Sequence, residues 1–130
     1  MSIIKKIFLI LPILLVVSMS QLNAEEVKKI GKYKDWESMV VTEASGKVCF
    51  AQSSPILQAP KSNKRDAKLF IAFRPAEQII NEVSVTAGYE FNSNTVTAQY
   101  GKNKFKFDIK EQGFAWIADS TIELSMIKRI

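Results

Sequence analysis

Apolar and polar residues alternate along this chain at every second position, and no other feature constrains its fold as strongly. From Asn81 to Ala87, Val83, Val85 and Ala87 fall on one side of an extended strand, with Glu82, Ser84 and Thr86 on the other. From Lys104 to Lys110, Phe105, Phe107 and Ile109 share one side, and Lys104, Lys106, Asp108 and Lys110 share the other. A helix would scatter these residues around its circumference, whereas a strand sorts them onto two faces. The pattern therefore demands sheets with one face covered and one face wet.

The remaining segments fit that frame. Tyr33 to Val41 reads as a first strand, with Trp36 and Met39 as packing side chains. Glu43-Ala44-Ser45-Gly46 is turn chemistry, and Lys47 to Ser53 is the next strand. Ser54 to Lys68 holds Pro55, Pro60 and four cations, which makes it a surface loop. Leu69 to Phe73 is continuously apolar, as expected of a strand buried on both faces, and Pro75 ends it. Asn92-Ser93-Asn94 turns the chain into a hairpin of Thr95 to Tyr100 and Lys104 to Ile109, and Gln112-Gly113 leads into Phe114-Ala115-Trp116-Ile117. Ser120 and Glu123 have the spacing of a capping box, with Ser120 as N-cap of a helix running towards Ile130. The reading is an all-β fold: an antiparallel sandwich or partly open barrel of six to seven short strands with a C-terminal helix.

The first 24 residues belong to a different problem. Lys5 and Lys6 precede the apolar run Ile7 to Val17, and a small, polar stretch then leads to Ala24 before Glu25-Glu26. That is the three-part order of a secretory signal. The run is little more than half the roughly 20 residues a membrane span needs, and Pro12 interrupts it. Residues 1–24 thus read as a signal peptide and residues 25–130 as one exported domain, with no membrane span after cleavage. The expected location is the periplasm, free or attached to the outer membrane. Cys49 then lies in an oxidising compartment, where a lone thiol is read as a buried apolar group or as the partner of another chain.

Composition removes most catalytic options. The chain has no histidine, which excludes histidine-based triads and histidine-ligated metals, and one cysteine, which excludes an internal disulfide and thiolate clusters. Its five glycines form no phosphate-binding loop. No metal or cofactor is expected. Carboxylate pairs are the remaining enzymatic option, drawn from Asp35, Glu37, Glu77 and Glu82, and would make the protein an envelope hydrolase. The excess of 18 basic over 13 acidic residues does not point to nucleic acid. Parity puts Phe105 and Phe107 opposite Lys104 and Lys106, whereas a strand that binds nucleic acid needs rings and cations on one face. Those lysines suit an anionic envelope polymer or lipid headgroups, or simply keep a strand edge from pairing.

The run Arg-Pro-Ala-Glu-Gln-Ile-Ile-Asn-Glu-Val-Ser-Val-Thr-Ala-Gly-Tyr from Arg74 to Tyr89 is distinctive. With Asp35-Trp36, Val48-Cys49-Phe50 and Ala115-Trp116, it resembles the invasion-associated locus B family of exported bacterial proteins, from about Gly31 to Asp119. The resemblance implies a β-rich, non-enzymatic periplasmic or envelope domain. Founding members of the family are linked to host-cell invasion. Longer members carry a cysteine soon after the Asp-Trp pair, where this chain has Glu37-Ser38-Met39-Val40. Related chains also continue beyond the equivalent of Ile130, so the domain is expected to be incomplete at its C-terminus.

Within the distinctive run, Pro75 starts a turn or short helix and Arg74 is held extended before it. Arg74 is placed to clamp Glu77 or Glu82. Alternatively Arg74, Asn81, Glu82 and Tyr89 line a recognition surface for a protein partner, with Lys104 and Lys106 as further binding candidates. Phe73 and Val85 are expected in the core, where truncating Phe73 to alanine would cost about 3–5 kcal/mol. Lys104 and Lys106 are expected to be exposed. Ile122, Met126, Ile127 and Ile130 form the helix's expected docking stripe.

Overall fold

Each short turn in the sequence folds the chain back on itself, so neighbours in sequence become antiparallel neighbours in space. The computed structural model describes residues 25–92 and 95–130, so the signal reading of Met1 to Ala24 and most of the Asn92-Ser93-Asn94 turn lie outside the described residues. Nine strands and one α-helix follow in order: β1 (Val27–Tyr33), β2 (Trp36–Glu43), β3 (Gly46–Ser53), β4 (Lys68–Arg74), β5 (Ile79–Thr86), β6 (Val96–Tyr100), β7 (Asn103–Phe107), β8 (Ile109–Glu111), β9 (Phe114–Trp116) and α1 (Ser120–Ile127). Seven strands form one sheet in the order β1-β2-β3-β4-β5-β9-β8, and β6 and β7 form a separate hairpin. The sheet does not close into a barrel.

The fold class is all-β with a C-terminal helix, as the alternation requires. The predicted first strand, Tyr33 to Val41, is β2 from Trp36 onward; Lys34 takes a positive φ of 53° and turns the chain there, and the strand before it, β1, is not expected from sequence. Positive φ at Gln112 and Gly113 makes a second tight hairpin, of β8 and β9.

Cross-strand partners share a face, so the registers divide the sheet into two surfaces. One carries Leu69, Val83, Val85 and Ala115, which are paired as Leu69 with Val85 and Val85 with Ala115. Over it lie Phe105 and Phe107 of β7, Val96 and Ala98 of β6, and Met126 and Ile127 of α1. This is the main core, and Val83 and Ala115 at its centre are fully buried. Lys104 and Lys106 point away from it and are exposed.

The hairpin and helix cover only part of that face, which corrects two expectations. Phe73 is 42% exposed and Cys49, its cross-strand partner, is a free, exposed thiol. Both sit towards β3, away from the residues that β7 and α1 cover, and the β4–β5 register shifts between Ala72 and Arg74. The apolar run Leu69 to Phe73 is accordingly half-buried apart from Ala72 at 6% and the exposed Phe73, not buried on both faces. Val85 does pack against the core. Ile109 leaves the phenylalanine face, because β7 ends at Phe107, and is exposed on β8.

The helix is capped one residue earlier than the sequence suggests. Asp119, in extended conformation, accepts hydrogen bonds from the backbone N–H of Thr121 at 2.8 Å and Ile122 at 3.4 Å, and so replaces Ser120 as N-cap. A bond from the Thr121 hydroxyl, with those two backbone bonds, holds the Asp119 carboxyl below its ordinary range. Glu123 is thereby released from the box and turned inward, where its Oε1 accepts the Val83 N–H at 2.9 Å. The docked stripe is Glu123, Met126 and Ile127, while Ile122 and Ile130 stay exposed.

Burial raises the Glu123 carboxyl above its ordinary 4.5, and Glu82 and Asp119 add to the rise while the Val83 N–H opposes it. The folded state then holds this proton more tightly than the unfolded chain does. The associated stability is fully present below about pH 4.5 and is lost as pH rises through the folded value. Glu123→Gln keeps an oxygen acceptor and should flatten this loss in urea titrations run from acid to neutral pH. Glu123→Ala leaves the Val83 N–H bare and should cost about 1–3 kcal/mol. An unchanged pH profile in the glutamine variant would remove Glu123 from this account.

Candidate functional site

On the opposite face the registers bring Val41 beside Val48, Phe50 beside Ala72, Phe70 beside Ser84, and Ser84 beside Trp116. The hairpin and helix pack on the other side, so this face is roofed by its own aromatic rings. Phe50 and Phe70 lie 6.1 Å apart edge to face, Phe70 and Phe114 5.9 Å apart, and Phe114 and Trp116 5.7 Å apart and stacked. These four half-buried rings come from β3, β4 and β9 and form a continuous row that also crosses β5. Beneath them Val41, Val48, Ala72 and Ser84 are buried.

The sheet is curved around this row. A flat sheet would separate β2 from β8 by about 24 Å, yet Val41 on β2 and Glu111 on β8 line one trough of about 430 Å³. Curvature of that kind makes a concave apolar surface, the usual form of a ligand site.

One end of the trough is charged. Arg74 ends β4 just before the 3-10 turn Pro75–Glu77, and its φ of −119° and ψ of 81° fall short of the fully extended backbone expected before proline. Its Nη1 reaches Glu43 Oε2 on β2 at 3.2 Å, and its Nε reaches Glu82 Oε1 on β5 at 3.3 Å. Partial burial acts against the charged guanidinium, but Glu82 and Glu43 outweigh it and raise its affinity for the proton. Glu111 adds a third carboxylate to the lining. That end therefore carries two carboxylates and one guanidinium, a net negative balance, while Glu111 lines the trough level with Phe114 and Thr86.

A second cleft of about 750 Å³ opens between the start of β5, β8 and α1. Its walls include Asn81, Glu82, Trp116 and Glu123, and it meets the trough at Glu82, Glu111 and Trp116.

Not all the residues nominated from sequence come together. Arg74 and Glu82 meet at the trough, with Glu43 as the partner the sequence did not suggest. Glu77 takes a hydrogen bond from the Ser45 hydroxyl at 3.3 Å instead of clamping Arg74. Asn81 lines the second cleft. Tyr89 lies beyond the end of β5, with its ring under the Arg65 guanidinium at 5.4 Å and against Phe91 at 5.8 Å. Lys104 and Lys106 stand on the outer side of the hairpin, where Lys106 pairs with Asp108 at 3.0 Å. The proposed four-residue surface is therefore not one patch. Asp35 falls in the turn after β1, and Glu37 is held by Lys29, whose hydrogen bond lowers its carboxyl below the ordinary range. Both clefts are lined by Glu82 alone among the four carboxylates considered for catalysis. Among the described residues, no cluster of cysteine, aspartate and glutamate has the arrangement of a metal site.

Sequence reasoning missed the aromatic row. Parity along Lys47 to Ser53 puts Phe50 on one face with Val48 and Gln52, but nothing local says that Phe70, Phe114 and Trp116 share that face across two further strands. Comparison with protein-family models, curated proteins and solved structures finds no match for the chain.

Arg74 is the counter-ion that lets Glu43 and Glu82 face each other. Arg74→Ala should cost about 1–2 kcal/mol in urea titration, less than a fully buried pair because all three side chains keep some solvent contact. Glu43→Gln added to Arg74→Ala should recover part of that loss, and strict additivity would show that the two residues are not coupled.

Proposed function

We propose that this chain is an exported, non-enzymatic binding protein of the bacterial envelope, in the manner of the invasion-associated locus B family it resembles, and that the trough is its binding surface. The observation that carries this reading is the row Phe50, Phe70, Phe114 and Trp116, half-exposed on a concave face that neither hairpin nor helix covers. Aromatic rings are enriched at protein interfaces, and tryptophan is among the residues that most often anchor them. The signal-like order of Met1 to Ala24 supports export. No helix among the described residues is long and apolar enough to cross a membrane.

The chemistry of the trough narrows the partner. Glu43, Glu82 and Glu111 outnumber Arg74, so the occupant presents apolar groups to the rings and a cation to the carboxylates. Basic segments of an envelope protein meet that description. An anionic envelope polymer does not fit here and would have to use the lysine face of the hairpin instead.

Immobilised protein should capture a saturable partner from a periplasmic extract. Trp116→Ala, checked by thermal melting to be folded, should weaken that capture by about thirtyfold, the loss expected of one aromatic anchor. Lys104→Ala with Lys106→Ala should leave it unchanged. Capture that survives the first variant and fails in the second would move the binding surface to the hairpin and overturn the trough.

A further inference from the structure

The loop between β3 and β4 lies at the opposite end of the sheet from the Arg74 rim and has an exposure pattern of its own. Ile56 and Leu57 are 82% and 83% exposed, the highest values among the large apolar residues described. A soluble surface rarely presents two adjacent aliphatic side chains so openly without a partner for them.

The loop is nevertheless well held. The Gln58 side-chain amide bonds to both backbone groups of Arg65, donating to its carbonyl at 2.8 Å and accepting its N–H at 3.1 Å. Arg65 donates in turn to the Ala59 carbonyl at 2.8 Å and lays its guanidinium over Tyr89. Gly88 packs against the returning strand: at φ +77° a Cβ there would come within 2.8 Å of the Asp66 backbone nitrogen. The apolar pair is thus presented on a braced loop.

Cations surround it. Lys61 and Lys64 line the same surface depression as Ile56 and Leu57 and are exposed. Lys68 is bound to Asp66 and Arg65 is engaged with Tyr89, whereas among the described residues Lys61 and Lys64 pair with no carboxylate. An aliphatic pair beside two uncommitted ammonium groups is complementary to a bilayer surface with anionic headgroups: the side chains enter the acyl boundary and the lysines meet the phosphates.

From this geometry we infer that the Ile56–Leu57 loop is a docking site for an anionic phospholipid surface, separate from the trough and independent of what the trough binds. It would hold the Arg74 end of the trough away from the membrane, since the loop and Arg74 lie at opposite ends of β4.

The test places an environment-sensitive fluorophore on the loop itself, through Leu57→Cys in a Cys49→Ser background of the full chain. The probe reports desolvation of residue 57, whatever the N-terminal apolar run does. Mixed phosphatidylglycerol–phosphatidylcholine vesicles should brighten and blue-shift it, and pure phosphatidylcholine vesicles should do so much less. Lys61→Glu with Lys64→Glu should weaken the response by about fivefold or more per lysine. A probe that stays wet on anionic vesicles, or that responds equally to both vesicle types, overturns the inference. Brightening with rising protein concentration and no lipid would put a second copy of the chain on the loop, and would overturn it too.

Discussion

The order of the sheet leaves β5 with a long strand on one side and a three-residue strand on the other, and the fold depends on how that mismatch is covered. β9 reaches only Ser84, Val85 and Thr86. Beyond it the Val83 carbonyl accepts the Ile117 N–H at 3.3 Å, and the Val83 N–H is taken by the Glu123 carboxylate at 2.9 Å. A side chain from the helix therefore stands in for a missing strand at the most buried residue of the core. Buried backbone groups left unpaired are costly, so this bond fixes the helix against the sheet. It also explains why the helix presents Glu123 inward with Met126 and Ile127, and leaves Ile122 and Ile130 of the expected stripe exposed.

That anchoring puts both covering elements on one face and leaves the other to its own side chains. The second face solves its burial problem by curving, so that phenylalanines and a tryptophan shelter the small residues below them. Arg74 contributes to the shape as well as to the charge. It ties the ends of β2 and β5 to β4, three strands that the β-ladder alone would hold only in sequence. The resulting concavity is apolar along its floor and acidic at its end.

The braced β3–β4 loop follows a different logic. Its hydrogen bonds run between Gln58, Arg65 and Ala59, with Gly88 packed against it, and its apolar residues point outwards. The energy that holds the loop does not come from burying Ile56 and Leu57. Those two side chains remain available for an external surface.

Local chemistry made some of this legible. Period-two alternation specified the β7 face, because Phe105 and Phe107 go inward wherever Lys104 and Lys106 must stay wet, and proline and glycine placed the turns. The all-β class and the C-terminal helix follow from residues near one another in sequence. Parity along one strand carries no information about which face a neighbouring element will cover, or how far the covering extends. Phe73 and Cys49 therefore came out exposed, and Glu123, three residues after a plausible N-cap serine, went to Val83 once Asp119 had taken the cap. The meeting of Arg74 with Glu43, 31 residues away, and the alignment of Phe50, Phe70, Phe114 and Trp116 required the strand registers of the whole sheet. Sequence by itself determined most of the elements, since these arise from local sterics and alternation, but not the turn at Lys34, which no glycine or proline marks, nor the break between β7 and β8. Only tertiary structure decided the curvature, the open face and the charged rim, because each depends on burial shared among strands distant in the chain.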